Sequence, residues 1–287
     1  MVIDKMTTDQ CVLISGAAGG IGRALVSELS QAGVTVFAGA LNEQEAALLA
    51  ADALPNIITV PMDVSSETSV EQAVQAVAAQ LPPGGRLVGL VNNAGVDYNA
   101  PLQYLSPAEI RRMVEVNLLG AILLTRAALP LLRQGPSRVV LTGSATGFMA
   151  APTVSTYAST KFAIEGLADA LRLEFRPLGI RVAVVEPGVV RTPMTAAAPQ
   201  MLATMLARMS ADDRRHYEAA MRKIVELSSA QSAGIAPQQV AAAMLHALTA
   251  PRPRSRYPVG RDALGAAWLR HLPDAMRDFI QGRLFGL

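Results

Sequence analysis

The sequence predicts an α/β fold: a doubly wound parallel sheet with helices on both faces. Short runs rich in Val, Ile and Leu recur along the chain without polar alternation, as strands covered on both faces require. Longer stretches with helical apolar spacing separate them, so strand–helix–strand units repeat. A glycine-rich turn follows the first run directly, where such a sheet turns into its first helix.

The strand runs lie at residues 11–14, 35–38, 57–60, 87–91, 139–141 and 182–185, and the helical stretches at 21–31, 43–51, 66–81, 106–133 and 156–176. Two helix starts carry their own signals: Ser66 followed by Glu67 and Ser69, and Ser106-Pro107 with Glu109 at the capping-box position. Beyond Pro187 the pattern changes. A long polar and Met-rich helical segment spans 193–229, a further helix 237–249, and a short strand 256–259. All of it reads as one domain over 1–287, with a core at about 10–190 and 237–260, a lid at about 193–229 and a helical tail at about 261–287.

The composition excludes several classes. With 287 residues, 51% hydrophobic and 17% charged, the chain is too apolar for disorder and long enough for its own core. A net charge of +2 gives no argument for nucleic acid, and the cluster Arg252/Arg254/Arg256 reads as a solvated turn. The single cysteine, Cys11, lies in the first strand run and reads as a buried thiol. No uninterrupted apolar run approaches a membrane span; the longest candidate, 118–124, ends at Arg126. Residues 1–5 lack the layout of a secretory signal, so a cytoplasmic location is expected. His216, His246 and His271 have no metal-ligand partners at helical spacing, and no metal is expected.

The turn Ser15-Gly16-Ala17-Ala18-Gly19-Gly20-Ile21-Gly22 places glycines so that a pyrophosphate can approach the backbone at a helix N-terminus. The bland alternative is a tight turn without a ligand. The second strand should end near Ala40, where the adenosine ribose is read. Neither an acid at 40 nor an Arg at 41 is present. Without a visible phosphate clamp the reading leans to NAD over NADP. Arg23, the basic residue nearest the turn, reads as its support. Asp63, in Met62-Asp63-Val64, is a candidate acceptor for the adenine amino group or simply a loop cap.

Tyr157 and Lys161 stand at i and i+4 and share a helix face; Lys161 is one of three lysines in the chain. Tyrosine, with a pKa of about 10, is a poor base at neutral pH; lowering it by about 3 units takes about 4 kcal/mol. A nearby ammonium and an oxidised nicotinamide both favour the phenolate. Ser144, 13 residues earlier and just past a strand, can face Tyr157 across the same sheet edge. Asn117 is a polar residue in an apolar helix; it either satisfies a backbone defect or holds a water that links it to Lys161.

Gly16/Gly20/Gly22, Asn92-Asn93-Ala94-Gly95, Asn117, Ser144, Tyr157/Lys161 and Pro187-Gly188 together resemble, in order, the short-chain dehydrogenase/reductase (SDR) family over about 10–195. Ser15 stands where that family usually has Thr. The resemblance implies a seven-stranded Rossmann-type sheet in the order 3-2-1-4-5-6-7, a nicotinamide cofactor and a tetrad of Asn117, Ser144, Tyr157 and Lys161. It implies cofactor contacts from Ser15, Gly16, Gly20, Ile21, Gly22, Asp63, Val64, Asn93, Ala94, Gly95, Pro187, Gly188, Val190 and Thr192. It also implies homodimers or homotetramers built on the helices at 106–133 and 156–176. Longer phrases, such as Gly89–Gly95 as Gly-Leu-Val-Asn-Asn-Ala-Gly and Arg256-Tyr-Pro-Val-Gly260-Arg-Asp262, resemble the retinol and hydroxysteroid dehydrogenase branch.

Met201, Met205 and Met209 recur every four residues and read as one stripe on a lid. With Phe148, Met149, Val154 and Met194 they predict an apolar pocket for a steroid-, retinoid- or lipid-like alcohol or ketone. The expected activity is NAD(P)-dependent hydride transfer to or from such a carbinol. The rivals are a catalytically silent nucleotide sensor, and an epimerase or dehydratase built on the same apparatus.

Overall fold

The computed structural model describes residues 9–228 and 234–286. The reading of residues 1–5 and the outer ends of the lid and tail, Ser229 and Leu287, lie outside the described residues. In chain order the elements are β1 (Gln10–Ile14), α1 (Gly20–Gln31), β2 (Thr35–Ala40), α2 (Glu43–Ala51), β3 (Ile57–Pro61), α3 (Glu67–Ala79) and β4 (Arg86–Asn92). Then come α4 (Pro107–Val114), α5 (Gly120–Leu132), β5 (Ser137–Thr142), α6 (Ser155–Glu174) and β6 (Ile180–Pro187). The C-terminal part adds α7 (Pro193–Ala196), α8 (Ala198–Arg208), α9 (Ala211–Ser228), α10 (Pro237–Thr249), β7 (Arg256–Val259), α11 (Arg261–Leu269) and α12 (Asp274–Phe285).

All seven strands run parallel in the order β3-β2-β1-β4-β5-β6-β7, as the sequence predicts. Side-chain alternation splits their residues between two apolar layers. Leu13, Phe37, Leu90, Leu141 and Val184 pack with Val77, Leu124 and Ile164 of α3, α5 and α6. On the other face Val12, Val36, Val91, Val140 and Val185 pack with Leu25 and Leu29 of α1 and Met244 and Leu248 of α10. The order reverses between β1 and β4, and the crevice at their C-terminal ends is where such sheets bind ligands.

Both predicted caps form. The Ser66 hydroxyl accepts from the Ser69 N–H, and Ser106 and Glu109 close a capping box at α4. Three readings need correction. The helical run at 106–133 is continuous but contains a π turn over Glu115–Leu119. That run, Pro107–Leu132, is also long and apolar enough to cross a membrane by length and composition. Asn117, Thr125 and Arg126 interrupt its apolar residues without bringing the average hydropathy below that of a span. Here it lies on the sheet, with Leu124, Ala128 and Leu132 in the core. The segment at 193–229 is three helices: Met209 leaves α8 in an extended conformation, and Ser210 opens the next turn by accepting from the Asp213 N–H.

Candidate active site

At the end of β1, Gly16 adopts φ +60°, and a Cβ there would stand 2.8 Å from the Ala94 Cα. A Cβ on Gly22 would come within 2.2 Å of the Gly16 carbonyl oxygen, and one on Gly20 would meet the Thr192 methyl at 2.6 Å. The turn therefore needs bare backbone on three sides. Ser15 and Asn93 lock it to the sheet. The Ser15 hydroxyl accepts from the N–H groups of Asn93 and Ala94 at 3.1 and 3.2 Å. The Asn93 amide donates to the Gly16 carbonyl at 3.0 Å and accepts from Thr142 at 3.3 Å. Ile21 and Gly22 open α1, whose N-terminus carries no side-chain cap. Free N–H groups beside Cβ-less backbone fit a dinucleotide pyrophosphate.

Ala40 is buried at the end of β2, beside the exposed Leu41. Arg23 does not support the turn: it makes a two-pronged pair with Asp52 beyond α2, at 2.7 and 2.5 Å. The Glu45 carboxylate accepts from the Leu41 N–H at 2.8 Å, which puts an acid at this strand end. Asp63 accepts from the N–H and hydroxyl of Ser65, so it caps its own loop, with Val64 buried beside it. These bonds and Arg112 hold the Asp63 carboxyl below its ordinary range against the opposing effect of burial.

The loop after β6 is held from below. Asp262 accepts from the Val189 N–H at 2.6 Å, and a Cβ on Gly188 would strike that carboxylate at 2.1 Å. Pro187-Gly188 thus packs against the start of α11. Val190 is buried and bridges to Ile235, and Thr192 caps α7.

Ser144 leaves β5 in an extended conformation; its hydroxyl accepts from the Thr146 N–H and hydroxyl at 3.2 and 2.9 Å, and its side chain acts on the Tyr157 phenol of α6. The Lys161 ammonium lies 5.6 Å from the centre of the Tyr157 ring and donates to the Thr142 carbonyl at 2.8 Å. Asn117 sits in the π turn. Its amide accepts from the Val96 N–H and donates to the Val96 carbonyl, both at 2.8 Å, and reaches Thr160 at 3.3 Å. Of the two roles open to Asn117, the backbone tie is the one the geometry displays. The four predicted tetrad residues come together at one sheet edge.

Their electrostatics differ from a simple acidified phenol. Burial, and then the charge of Asp97, push the Tyr157 phenol above its ordinary value; the Ser144 side chain pulls the other way. Burial lowers the Lys161 ammonium to about 8, against the pull of Asp97 and Glu165. Asp97 itself is raised to about 6 by burial, against the Asn99 side chain, the field of Lys161 and the Tyr98 N–H. The sequence reading missed Asp97. Its position two residues after Asn92-Asn93-Ala94-Gly95 was the available signal.

A lid covers this edge. Met205, Leu206, Met209 and Met221 are buried with Ala100, Leu105 and Met113, and Tyr157 packs on the same cluster. Asp213 latches α9 down, accepting from Tyr104 at 2.6 Å and Gln103 at 2.9 Å. The crevice beneath is lined by Asn99, Thr153, Met201, Leu202, Met221 and Val225, among others. Phe148 is buried with the Arg270 guanidinium 5.6 Å over its ring, Val154 is buried at the start of α6, Met149 is half-buried and Met194 is 45% exposed.

Against this geometry, the family described as short chain dehydrogenase matches residues 10–203. The chain belongs to the short-chain dehydrogenase family. It is therefore an oxidoreductase of the SDR type. The mitochondrial D-beta-hydroxybutyrate dehydrogenase of Mus musculus is 33% identical to this SDR chain over 94% of it and 83% of the relative. Retinol dehydrogenase 5 of Homo sapiens is 35% identical over 94% and 86%. A short-chain dehydrogenase from Streptomyces avermitilis superposes with a TM-score of 0.76 at 26% identity, covering 96% of this chain and 94% of that one.

A second polar cluster supports β6 from behind. Arg256 is not solvated: it bonds Glu165 at 2.9 Å and Asp169 at 2.8 Å, and lies 3.5 Å from Glu186. Glu186 is 2% exposed, and burial next to Glu165 raises both carboxyls, Glu186 to about 8. Between the ordinary Glu value of 4.5 and about 8 the folded state binds more protons than the unfolded one, so stability falls as pH rises through that window. Glu186→Gln is expected to flatten the loss of melting temperature between pH 5 and pH 8, by at least about 3 °C relative to wild type. Differential scanning calorimetry across that range checks it; parallel curves for the two proteins contradict it.

Proposed function

We propose that the chain oxidises or reduces an apolar alcohol or ketone with a nicotinamide dinucleotide, using Tyr157 as the proton-transfer group. The observation that carries this reading is the Lys161 ammonium 5.6 Å from the centre of the Tyr157 ring, with the Ser144 side chain acting on the same phenol. When bound, the cofactor exchanges the hydride with the substrate carbon and, in its oxidised form, brings a positive charge to the site.

In oxidation the Tyr157 oxygen takes the proton of the substrate hydroxyl; in reduction it returns one to the forming alkoxide. Ser144 accepts from the N–H and hydroxyl of Thr146, which leaves its own O–H to donate to the substrate oxygen. Lys161 supplies the fixed positive charge near the phenolate, and its Thr142 bond holds the ammonium in place. Asn117 acts one step away: by pinning Val96 and Thr160 it holds the wall that faces Tyr157 and Lys161. Gly16, Gly20, Gly22 and the Thr192 loop would hold the pyrophosphate, and Asn93 to Gly95 the adenosine side. The crevice under α8 and α9 is only about 10 Å³, room for one water, so what supports an apolar substrate is its Met-rich wall and not an open cavity.

NAD is the cofactor these residues favour. Arg23 is committed to Asp52, and Glu45 places a negative charge near the end of β2, where a 2′-phosphate would be repelled. Fluorescence titration is expected to give a Kd for NADH at least about tenfold below that for NADPH, roughly 1.4 kcal/mol; equal or reversed affinities contradict the assignment. The exposed Leu119, Phe162 and Leu173 on the α5 and α6 side suit a homo-oligomer built on those helices.

Because burial holds the proton on Tyr157, oxidation needs the phenolate and reduction the phenol. Oxidation is expected to accelerate toward alkaline pH, and reduction to hold through neutrality and fall at high pH. Tyr157→Phe is expected to lose about 10³-fold or more in turnover of an apolar secondary alcohol while NADH affinity is retained. Steady-state rates from pH 6 to pH 10, with NADH titrations, test both; turnover in Tyr157→Phe near the wild-type level would overturn the reading.

A further inference from the structure

The segment that leaves β4 carries two acceptor oxygens without donors. Asp97 Oδ1 and Asn99 Oδ1 are both buried and, among the described residues, neither has a hydrogen-bond partner. The Asn99 side chain and the Tyr98 N–H favour the charged Asp97 carboxylate, yet its Oδ1 keeps no hydrogen-bond partner. The nearest ammonium belongs to Lys161, but it spends a donor on the Thr142 carbonyl at 2.8 Å. The two feel each other's charge without forming an ion pair among the described residues.

Buried acceptors are costly when unpaired, and a charged one most of all. The Asn99 side chain acts on the Asp97 carboxylate, so the two work as one acceptor pair. Asp97 acts on Tyr157 through its charge, and Asn99 lines the crevice under α8 and α9 with Met201, Leu202, Met221 and Val225. The pair thus stands at the junction between the reacting oxygen and an apolar slot. One water can donate to both oxygens but brings no counter-charge to the carboxylate. Two acceptors lacking donors, one of them charged, match a group with several N–H bonds and a positive charge.

We propose that Asp97 and Asn99 form a recognition site for a protonated primary amine on the substrate, carried by an apolar body that packs against the Met-rich wall of α8 and α9. This deepens, and rests on, the dehydrogenase reading of the same site. An ammonium bound there also offsets the Asp97 charge that opposes loss of the Tyr157 proton, so the anchor and the chemistry reinforce each other. A neutral alcohol leaves that charge uncompensated.

Isothermal titration of the NAD-saturated protein with octylamine and with 1-octanol at pH 7.5, roughly two or more units below the pKa of a lysine-like alkylamine, tests this. Wild type is expected to bind octylamine at least about tenfold more tightly than octanol, or about 1.4 kcal/mol. Asp97→Asn is expected to bring the two affinities within about twofold. Equal affinities in wild type, or an amine preference that survives in Asp97→Asn, overturn the proposal. Should Asp97→Asn fail to fold, Asn99→Leu gives the second reading: it is expected to weaken octylamine by about threefold or more and octanol not at all, and unchanged octylamine binding overturns the proposal. Turnover of 1-amino-2-octanol against 2-octanol separates the two claims. Amine binding without turnover of either alcohol sinks hydride transfer and leaves the amine site standing. Turnover of both at equal efficiency, with no amine preference in binding, sinks the amine site alone.

Discussion

The site depends on one constraint: a buried ammonium, a half-buried phenol and a half-buried carboxylate are packed together where water screens them poorly. Desolvation drives Tyr157 upward and Lys161 downward, so each side chain alone prefers its neutral form. Both also feel the charge of Asp97, which makes the ionisation of Tyr157 depend on its neighbours. Asp97 stabilises the ammonium and opposes the phenolate. The charge state at this sheet edge is accordingly set by what joins the group.

The fold serves that constraint by rigid placement. Ser144 leaves β5 and Tyr157 and Lys161 ride on α6, while Asn117 ties the π turn to the strand-end segment through Val96. The π turn puts the Asn117 amide where both backbone groups of Val96 and the Thr160 hydroxyl meet it. Asp262 performs the matching task for the loop after β6. Across the cleft, Ser15 and Asn93 fasten the glycine turn to β4 and β5.

Much of this was legible in the order of residues. Parallel strands buried on both faces produce unbroken apolar runs, so β1 to β6 could be placed to within a few residues. The glycine turn and the Tyr157–Lys161 spacing are local, and local geometry is what sequence spacing encodes. Interactions between distant segments were less legible. Nothing near Arg23 announces Asp52, and nothing near Arg256 announces Glu165 and Glu186, 91 and 70 positions earlier. Asp97 lay two positions beyond a recognised motif, but its meaning comes from burial beside α6, which spacing does not carry. The break at Met209 likewise follows from the latch between Asp213 and Tyr104, a contact across more than a hundred residues.

The most direct test of this account is the ionisation of Tyr157 itself. The tyrosinate absorbance of the NAD-saturated protein, titrated with pH and corrected by subtracting the same titration of Tyr157→Phe, isolates that one phenol. The account predicts a difference signal of one tyrosinate with its midpoint below about 10, the value of a free tyrosine. A difference that stays flat until above that pH would show that the phenol keeps its proton in the working complex, and the assignment of proton transfer to Tyr157 would fail.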